Sequence, residues 1–339
     1  MSAWASHLDR RWFAVALSAR VGRKPVRVML LDRPIVLARL DGQLVTGFQD
    51  RCPHRHAPLS QGRVVEGTLQ CPYHGWRFDA QGALRELPGA PPGGCIPGVR
   101  AQTVPVVEHD GLVWARLAAT GDEDIPAHAR MLAPENRRFL WQTTWHAHIV
   151  DALENVLDPL HTHFVHTGLV RRKGARQAVD VRLRAHAEGF EVDYAGASTQ
   201  SGLLYRLFES PRETERSTFS MPGTAQIHYH YRNGSRTCIS MHFSPETHDR
   251  TRLIGMLHLD GRRVPAWAVR AFVWPFIRRV AMQDSRMLAL QAENSRAFPD
   301  RKDAVTRFDV VRRRLQDAWS EQRDAARGKP EDSSTVLML

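Results

Sequence analysis

The sequence predicts an α+β protein in two parts: an all-β N-terminal part, then a larger part combining an antiparallel sheet with helices. Three observations carry this. Residues 11–118 break into short apolar bursts punctuated by Gly, Pro and Asp, which reads as strands and hairpins. Short alternating segments return over residues 179–260. Residues 149–158, 265–298 and 304–326 instead repeat apolar residues at helical spacing.

Taken in order, "DRRWFAVALSARVGRK" (9–24) carries paired arginines and a short apolar stretch, a superficial likeness to an export signal. Its apolar part is too short, and Arg20, Arg23 and Lys24 follow at once, so a first strand is the better reading. "VRVMLLDRPIVLARLDGQLVTGF" (26–48) reads as strands joined at Asp-Arg-Pro and Asp-Gly turns, "FDAQGAL" (78–84) as another hairpin and "VPVVEHDGLVWARL" (104–117) as a third. "LPGAPPGG" (87–94) is a loop by its glycines and prolines. "AATGDEDIPAHARML" breaks the pattern and marks a boundary, giving domains 1–118 and 119–325 and a frayed tail, 326–339. The helix from 149 ends near Pro159. "GFEVDYAG", "AQIHYHYR" and "TRLIGMLHL" read as strands of one antiparallel sheet, and "AVTRFDVVRRRLQDAWSEQRDAA" as the last helix.

A chain of 339 residues can bury two cores, and 42% hydrophobic with 24% charged residues excludes wholesale disorder. The net charge of +11 favours anionic partners, an acidic protein among them. The chain shows no zinc-finger, RNP or helix-turn-helix signature, so nucleic acid is not expected. Four cysteines are too few for a disulfide scaffold, and no run of eighteen apolar residues spans a membrane. A cytoplasmic location is expected.

Two of those cysteines lie beside histidines. "RCPHRHAPLSQG" (51–62) places His54 two residues after Cys52, and "CPYHGWRF" (71–78) places His74 three after Cys71. Two thiolates and two imidazoles fit either a structural zinc site or a mixed [2Fe–2S] cluster with two cysteines on one iron and two histidines on the other. The surroundings favour the cluster. Pro follows each Cys, and Gly75-Trp76 follows His74. This resembles the Rieske ferredoxin-like domain, with its C-x-H and later C-x-x-H. The resemblance implies that Cys52 and Cys71 hold the inner iron and His54 and His74 the outer one. His56 is then either an outer neighbour of the cluster ligands or a surface residue, and Gly75 and Trp76 pack on the cluster loops.

"ENVLDPLHTHFVH" (154–166) carries the second constellation. Asn155 and Asp158 are three apart on a helical face, His161 lies beyond Pro159, and His166 follows five later. A helix end at Pro159 lets the two histidines converge. Two histidines and one carboxylate on one side of a metal make the non-haem Fe(II) oxygenase site. The stretch resembles the catalytic domain of Rieske non-haem iron oxygenases, and with it the resemblance covers about residues 11–300. It implies a helix-grip fold, iron held by His161, His166 and a late aspartate, and a polar Asn155 close to the metal. Asp284 in "AMQDSRMLALQAEN" matches the aspartate, with Met282, Met287, Leu288 and Leu290 giving its helix an apolar side; spacing alone would not choose it over Asp300 or Asp303. Asp158 is implied as a bridge rather than a ligand, its carboxylate linking His161 to His74 between subunits of a homotrimer.

The implied activity is that of a terminal oxygenase component using O2 and externally supplied electrons. The chain has no GxGxxG motif, so NAD(P)H serves only through a separate reductase or ferredoxin, expected to be acidic. Its compact length resembles the single-subunit vanillate and dicamba O-demethylases, implying hydroxylation or oxidative demethylation of an aromatic or cyclic small molecule. Ring dihydroxylation is the alternative, followed by an electron-transfer or regulatory protein with an inactive second site. His228, His230, His242 and Arg270 could line a pocket, but packing or solvation explains each better, and they stay outside the catalytic set.

Overall fold

The structure, a computed structural model, describes residues 4–91, 94, 97–121, 125, 138–170, 176–195, 212–260, 266–300, 302–320 and 332–339. It divides into two compact units: Met1–Ile125 with Ser244–Thr247, and Pro126–Phe243 with His248–Leu339. Cys95 and most of the expected boundary segment lie outside the described residues.

The first unit holds β1 (Phe13–Leu17), β2 (Val26–Leu30), β3 (Arg33–Arg39), β4 (Val45–Gln49), β5 (Arg63–Val65), β6 (Thr68–Gln70), β7 (Arg77–Phe78), β8 (Leu84–Glu86), β9 (Thr103–Val104), β10 (Val106–His109) and β11 (Leu112–Ala115). They form three small antiparallel sheets, ordered β1-β11-β10, β2-β3-β4-β9 and β5-β6-β7-β8. The expected hairpins are present: Leu30 faces Arg33, Phe78 faces Leu84 and His109 faces Leu112. Leu31, Asp32 and Asp110 turn at positive φ, Asp110 beside Gly111, which explains why Asp and Gly mark these corners. Val36, Phe48, Leu59, Leu69 and Phe78 form a buried cluster that includes Cys52 and Cys71. The thiols are therefore anchored in the core, while the loops that carry them reach outward.

The second unit is built on an eight-stranded sheet. Its strands are β12 (Arg138–Trp145), β13 (Ala178–His186), β14 (Gly189–Ala195), β15 (Arg212–Ser220), β16 (Thr224–Tyr231), β17 (Arg236–Thr247, its last four residues counted with the first unit), β18 (Arg250–Asp260) and β19 (Ser333–Met338). Their order is β12-β18-β17-β16-β15-β14-β13-β19. Along β13, Val179, Val181 and Leu183 are buried and the residues between them exposed; on β14, Phe190, Val192 and Tyr194 repeat the pattern. This period of two gives the sheet one apolar face. Helix α1 (Ile149–Leu157) buries Ile149, Val150, Ala152, Leu153 and Leu157, one stripe of a 3.6-residue period. Asp158, directly before Pro159, is extended at φ −110° and ψ 112°, so the helix ends there. A 3-10 turn, Pro159–His161, and a single helical turn, α2 (Thr162–Val165), follow. A short π-helical stretch, Val269–Val273, leads into α3 (Trp274–Ala297).

Three expectations are corrected. The apolar side proposed for α3 is not its inward side: Met282, Met287 and Leu290 are 47–60% exposed, and the helix buries Asp284 and Leu288, one turn apart. The last helix, α4 (Arg312–Trp319), is shorter than expected. Asp309 captures the backbone N–H and the hydroxyl of Thr306, a local turn that competes with helix before residue 312. The tail is not frayed over residues 332–339: β19 pairs antiparallel with β13, and Leu337 and Leu339 are buried. Residues 326–331 lie outside the described residues. Among the described residues, no helix is long and apolar enough to cross a membrane.

Candidate metal centres

The first centre is made by the loops after β4 and β6. The neck of the first loop is closed by Asp50, whose buried carboxylate accepts the Ser60 N–H and the Ser60 hydroxyl, each at 2.7 Å. Inside this neck, the Cys52 N–H donates to the Ala57 carbonyl and the His56 N–H to the Cys52 carbonyl, at 2.8 and 3.0 Å. In the second loop, the Cys71 N–H donates to the Trp76 carbonyl at 2.8 Å. Gly75 turns at φ +73°, where an added Cβ would press on Pro88 at 3.1 Å. The indole of Trp76 then lies flat on the His54 ring, 4.5 Å between centroids and 3° from parallel. The rings of His54 and His74 are 4.6 Å apart, bringing the tips of the two loops together.

Burial, together with the neighbouring Cys71 thiol, pushes the Cys52 thiol up to about 11, against the backbone N–H groups of His54 and Arg55. A thiol packed as Cys52 is resists ionising unless a cation relieves it. The Nδ1 of His54 is buried without a hydrogen-bond partner. An orphaned imidazole nitrogen beside two buried thiols fits a metal-ligand set, and the donor chemistry fits the mixed cluster. His56 points outward, its Nε2 2.8 Å from Arg51, as a surface neighbour should.

The Asp50–Ser60 latch makes one prediction. Ser60→Ala removes the hydroxyl donor from the buried Asp50 carboxylate and leaves that oxygen only Arg27 Nε at 3.5 Å, which should cost about 1–3 kcal/mol. Thermal unfolding would show this, and the cluster chromophore should bleach sooner than in the wild type. Equal bleaching rates would mean that the latch does not hold the loop.

The second centre gathers residues from the end of α1, the flanks of α2 and the middle of α3. Among the described residues, His161, His166 and Asp284 are the group of three whose ligand atoms lie within 4.8 Å of one another. The Asp284 Oδ1 stands 3.0 Å from His166 Nε2 and 3.4 Å from His161 Nε2. Both imidazoles turn the same nitrogen inward, and each opposite nitrogen is tied. His161 Nδ1 meets the Asp158 carbonyl oxygen at 2.8 Å, and His166 Nδ1 meets Gln283 Oε1 at 2.9 Å. An Nδ1–H given to an oxygen leaves a lone pair on Nε2, the form a metal needs. Burial pushes the Asp284 carboxyl up, but hydrogen bonds from His161 and His166 and their charge outweigh this and hold it below its usual value. For His166 burial pulls down, and Asp284 and Gln283 outweigh it, so its pKa is raised. Two imidazole nitrogens and one carboxylate oxygen, converging in a buried place, suit a divalent transition metal.

Asn155 donates to the same Asp284 oxygen at 3.4 Å, and its own Oδ1 is buried without a partner. Asp158 departs from its expected role within the chain. Its carboxylate accepts the Leu160 N–H at 2.8 Å, capping the 3-10 turn, and its main-chain carbonyl rather than its carboxylate meets His161. The reason is local: the break before Pro159 makes Asp158 both the end of one helix and the cap of the next turn. Burial pushes its carboxyl up to about 6, against the Leu160 N–H and His161. Asp303 is occupied by Arg312, which also holds Asp151 and Glu154 on α1, and Asp300 is exposed.

The sequence shows Gln283 only as the residue before Asp284, not as the partner of His166. Neighbours on a helix point about 100° apart, so a search along one face passes over the residue beside a ligand. Of the other pocket candidates, His242 is buried with Thr224 2.9 Å from its Nδ1, His228 is half-buried, and His230 and Arg270 are exposed.

An all-β unit with paired Cys/His loops, followed by a sheet-and-helix unit with a two-histidine, one-carboxylate centre, defines a two-centre metalloprotein. Family comparison agrees: the Rieske [2Fe–2S] domain matches residues 11–107 and the vanillate O-demethylase oxygenase C-terminal domain matches residues 145–323. The chain belongs to the Rieske non-haem iron oxygenases of the vanillate O-demethylase type. It is 42% identical to the dicamba O-demethylase oxygenase component of Stenotrophomonas maltophilia over 106 residues, 30% of each chain. It is 34% identical to a putative toluene-4-sulfonate monooxygenase system iron–sulfur subunit of Comamonas testosteroni over 161 residues, 46% of this chain and 45% of the relative. It is 35% identical to the methylxanthine N1-demethylase of Pseudomonas putida over 146 residues, 42% and 41% of the two chains. The matched stretches thus span less than half of each of these relatives. In fold, dicamba monooxygenase bound to dicamba superposes with a TM-score of 0.75 at 22% identity, over 94% of this chain and 99% of the other.

Proposed function

We propose that this chain is the terminal oxygenase component of a multicomponent system, hydroxylating or oxidatively demethylating an aromatic or cyclic small molecule. The first unit would carry the [2Fe–2S] cluster on Cys52, His54, Cys71 and His74, and the second would carry one ferrous ion on His161, His166 and Asp284. The observation that carries the reading is the convergence of those three ligand atoms with both Nδ1 positions tied back. When bound, the cluster would supply one-electron transfer and the ferrous ion would supply O2 binding and activation.

The chain's own residues prepare for this. Asp284 provides the single negative charge of the ligand set, and Asn155 steadies it by donating to one oxygen. Asp158 keeps His161 oriented through its carbonyl, and its carboxylate is proposed to join His74 of a neighbouring subunit in a homotrimer. The basic surface suits an acidic ferredoxin or reductase, and a cytoplasmic location suits such a partner. Hydroxylation of an O-methyl or N-methyl carbon consumes O2, two electrons and two protons, releases water, and gives a hemiacetal or hemiaminal that collapses to formaldehyde.

The test uses the holoprotein with a surrogate ferredoxin and reductase and a panel of methoxylated and N-methylated aromatics. Substrate-dependent O2 uptake matched by formaldehyde supports demethylation, and uptake matched by a hydroxylated product supports hydroxylation. A cluster that cycles between redox states with no O2 uptake on any substrate, in a chain holding no mononuclear iron, would make this an electron-transfer protein instead.

A further inference from the structure

We infer that Gln283 is a positioning residue of the second centre: it decides which nitrogen of His166 carries the lone pair offered to the metal. The inference rests on the metal-centre reading above and goes past it, to a side chain outside the ligand set.

A neutral imidazole has one N–H and one lone pair, and which nitrogen holds which depends on its neighbours. The His166 ring is almost wholly buried, so water does not decide the matter. Its Nε2 faces Asp284 Oδ1 at 3.0 Å and its Nδ1 faces Gln283 Oε1 at 2.9 Å. With the amide oxygen turned to Nδ1, that nitrogen keeps its N–H when a metal replaces the proton between Nε2 and Asp284, and Nε2 is left to bind. Gln283 and Asp284 are consecutive on α3, so the same turn of helix that presents the carboxylate also presents the group that sets the ring. The arrangement is asymmetric. His161 gives the equivalent hydrogen bond to the main-chain carbonyl of Asp158, an acceptor that no side-chain substitution removes. His166 depends on a side chain. Gln283 is also neutral, so Asp284 is the sole anion of the triad and its clamps.

Two substitutions separate this role from simple packing. Gln283→Met keeps the length and removes the oxygen. Gln283→Glu keeps an acceptor, and as a carboxylate it cannot turn a donor toward Nδ1. The experiment takes the cluster-loaded protein, empties the second centre anaerobically with a chelator, and titrates it with Co(II) by equilibrium dialysis and metal analysis. Gln283→Met should weaken Co(II) binding about 10–100-fold. Gln283→Glu should bind at least as tightly as the wild type. The visible spectrum of the cluster should stay unchanged in Gln283→Met, and the melting temperature should fall by no more than the loss of one buried hydrogen bond explains, which a packing role would exceed. Wild-type binding by Gln283→Met, or an equal loss in Gln283→Glu, overturns the inference. A wild-type protein that takes up no Co(II) would overturn the metal-centre reading itself, a distinguishable result.

Discussion

Asp284→Ala should lower the iron content from about three to about two atoms per chain, with the cluster spectrum intact. Substrate-dependent O2 uptake should fall to background. The substitution leaves two neutral nitrogens where the wild type has two nitrogens and an anion, and a hard-edged divalent ion loses its only charged ligand. A second signature appears in the metal-free protein. His166 is raised above its ordinary 6.5 and Asp284 is held below its ordinary 3.8. The stability from His166 is fully present below its unfolded value and is lost as pH rises through the raised folded value. The stability from Asp284 is present above its unfolded value and is lost as pH falls through the depressed one. The chelated wild type should therefore gain stability from this pair between roughly pH 4 and 6.5, and Asp284→Ala should lack that gain. Metal analysis and melting temperatures across pH read both signatures.

Asp158→Asn should lose turnover on the order of 100-fold while keeping both metals, and should gain stability in the chelated protein. Its side-chain oxygen can still cap Leu160, and its carbonyl still holds His161. What it loses is a charge. The Asp158 carboxyl is pushed up to about 6 from an ordinary 3.8, mainly by burial. A raised carboxyl means that the folded chain holds its proton longer than the unfolded one, so stability falls as pH rises from about 4 to 6 and stays lowered above. Removing the charge should return on the order of 1–3 kcal/mol at pH 8 and almost nothing at pH 4. A stabilised protein that binds its metals and turns over poorly is the signature of a residue kept for electron transfer. Normal turnover in Asp158→Asn would sink the bridge.

The parts legible in the sequence are those in which local spacing is the geometry. Cys52 with His54 and Cys71 with His74 each sit within one turn of a loop, so their types and intervals already describe the tips that the structure brings together. Pro159 stops α1 by steric rule, and the bend it forces is what turns His161 and His166 inward. Asp284 was harder, because more than a hundred residues separate it from His166 and only the fold shows that Asp303 is taken by Arg312. Gln283 and the Asp158 carbonyl were not legible: a helix-face search skips the first, and a side-chain search does not see the second. The pairing of β19 with β13 was hidden for another reason. A polar-looking "SSTVLM" gains its place from a partner strand far back in the chain. The late start of α4 is not legible, because at Thr306 the Asp309 carboxylate competes for the backbone N–H, which a periodicity does not show.

The most direct test of the central claim is an anomalous-scattering crystal structure of the protein purified under anaerobic conditions. The account predicts an iron pair held by Cys52, Cys71, His54 and His74, and a separate single iron between the Nε2 atoms of His161 and His166 and the carboxylate of Asp284. Zinc at the first site, or no metal among the second three side chains in an iron-replete sample, would contradict it.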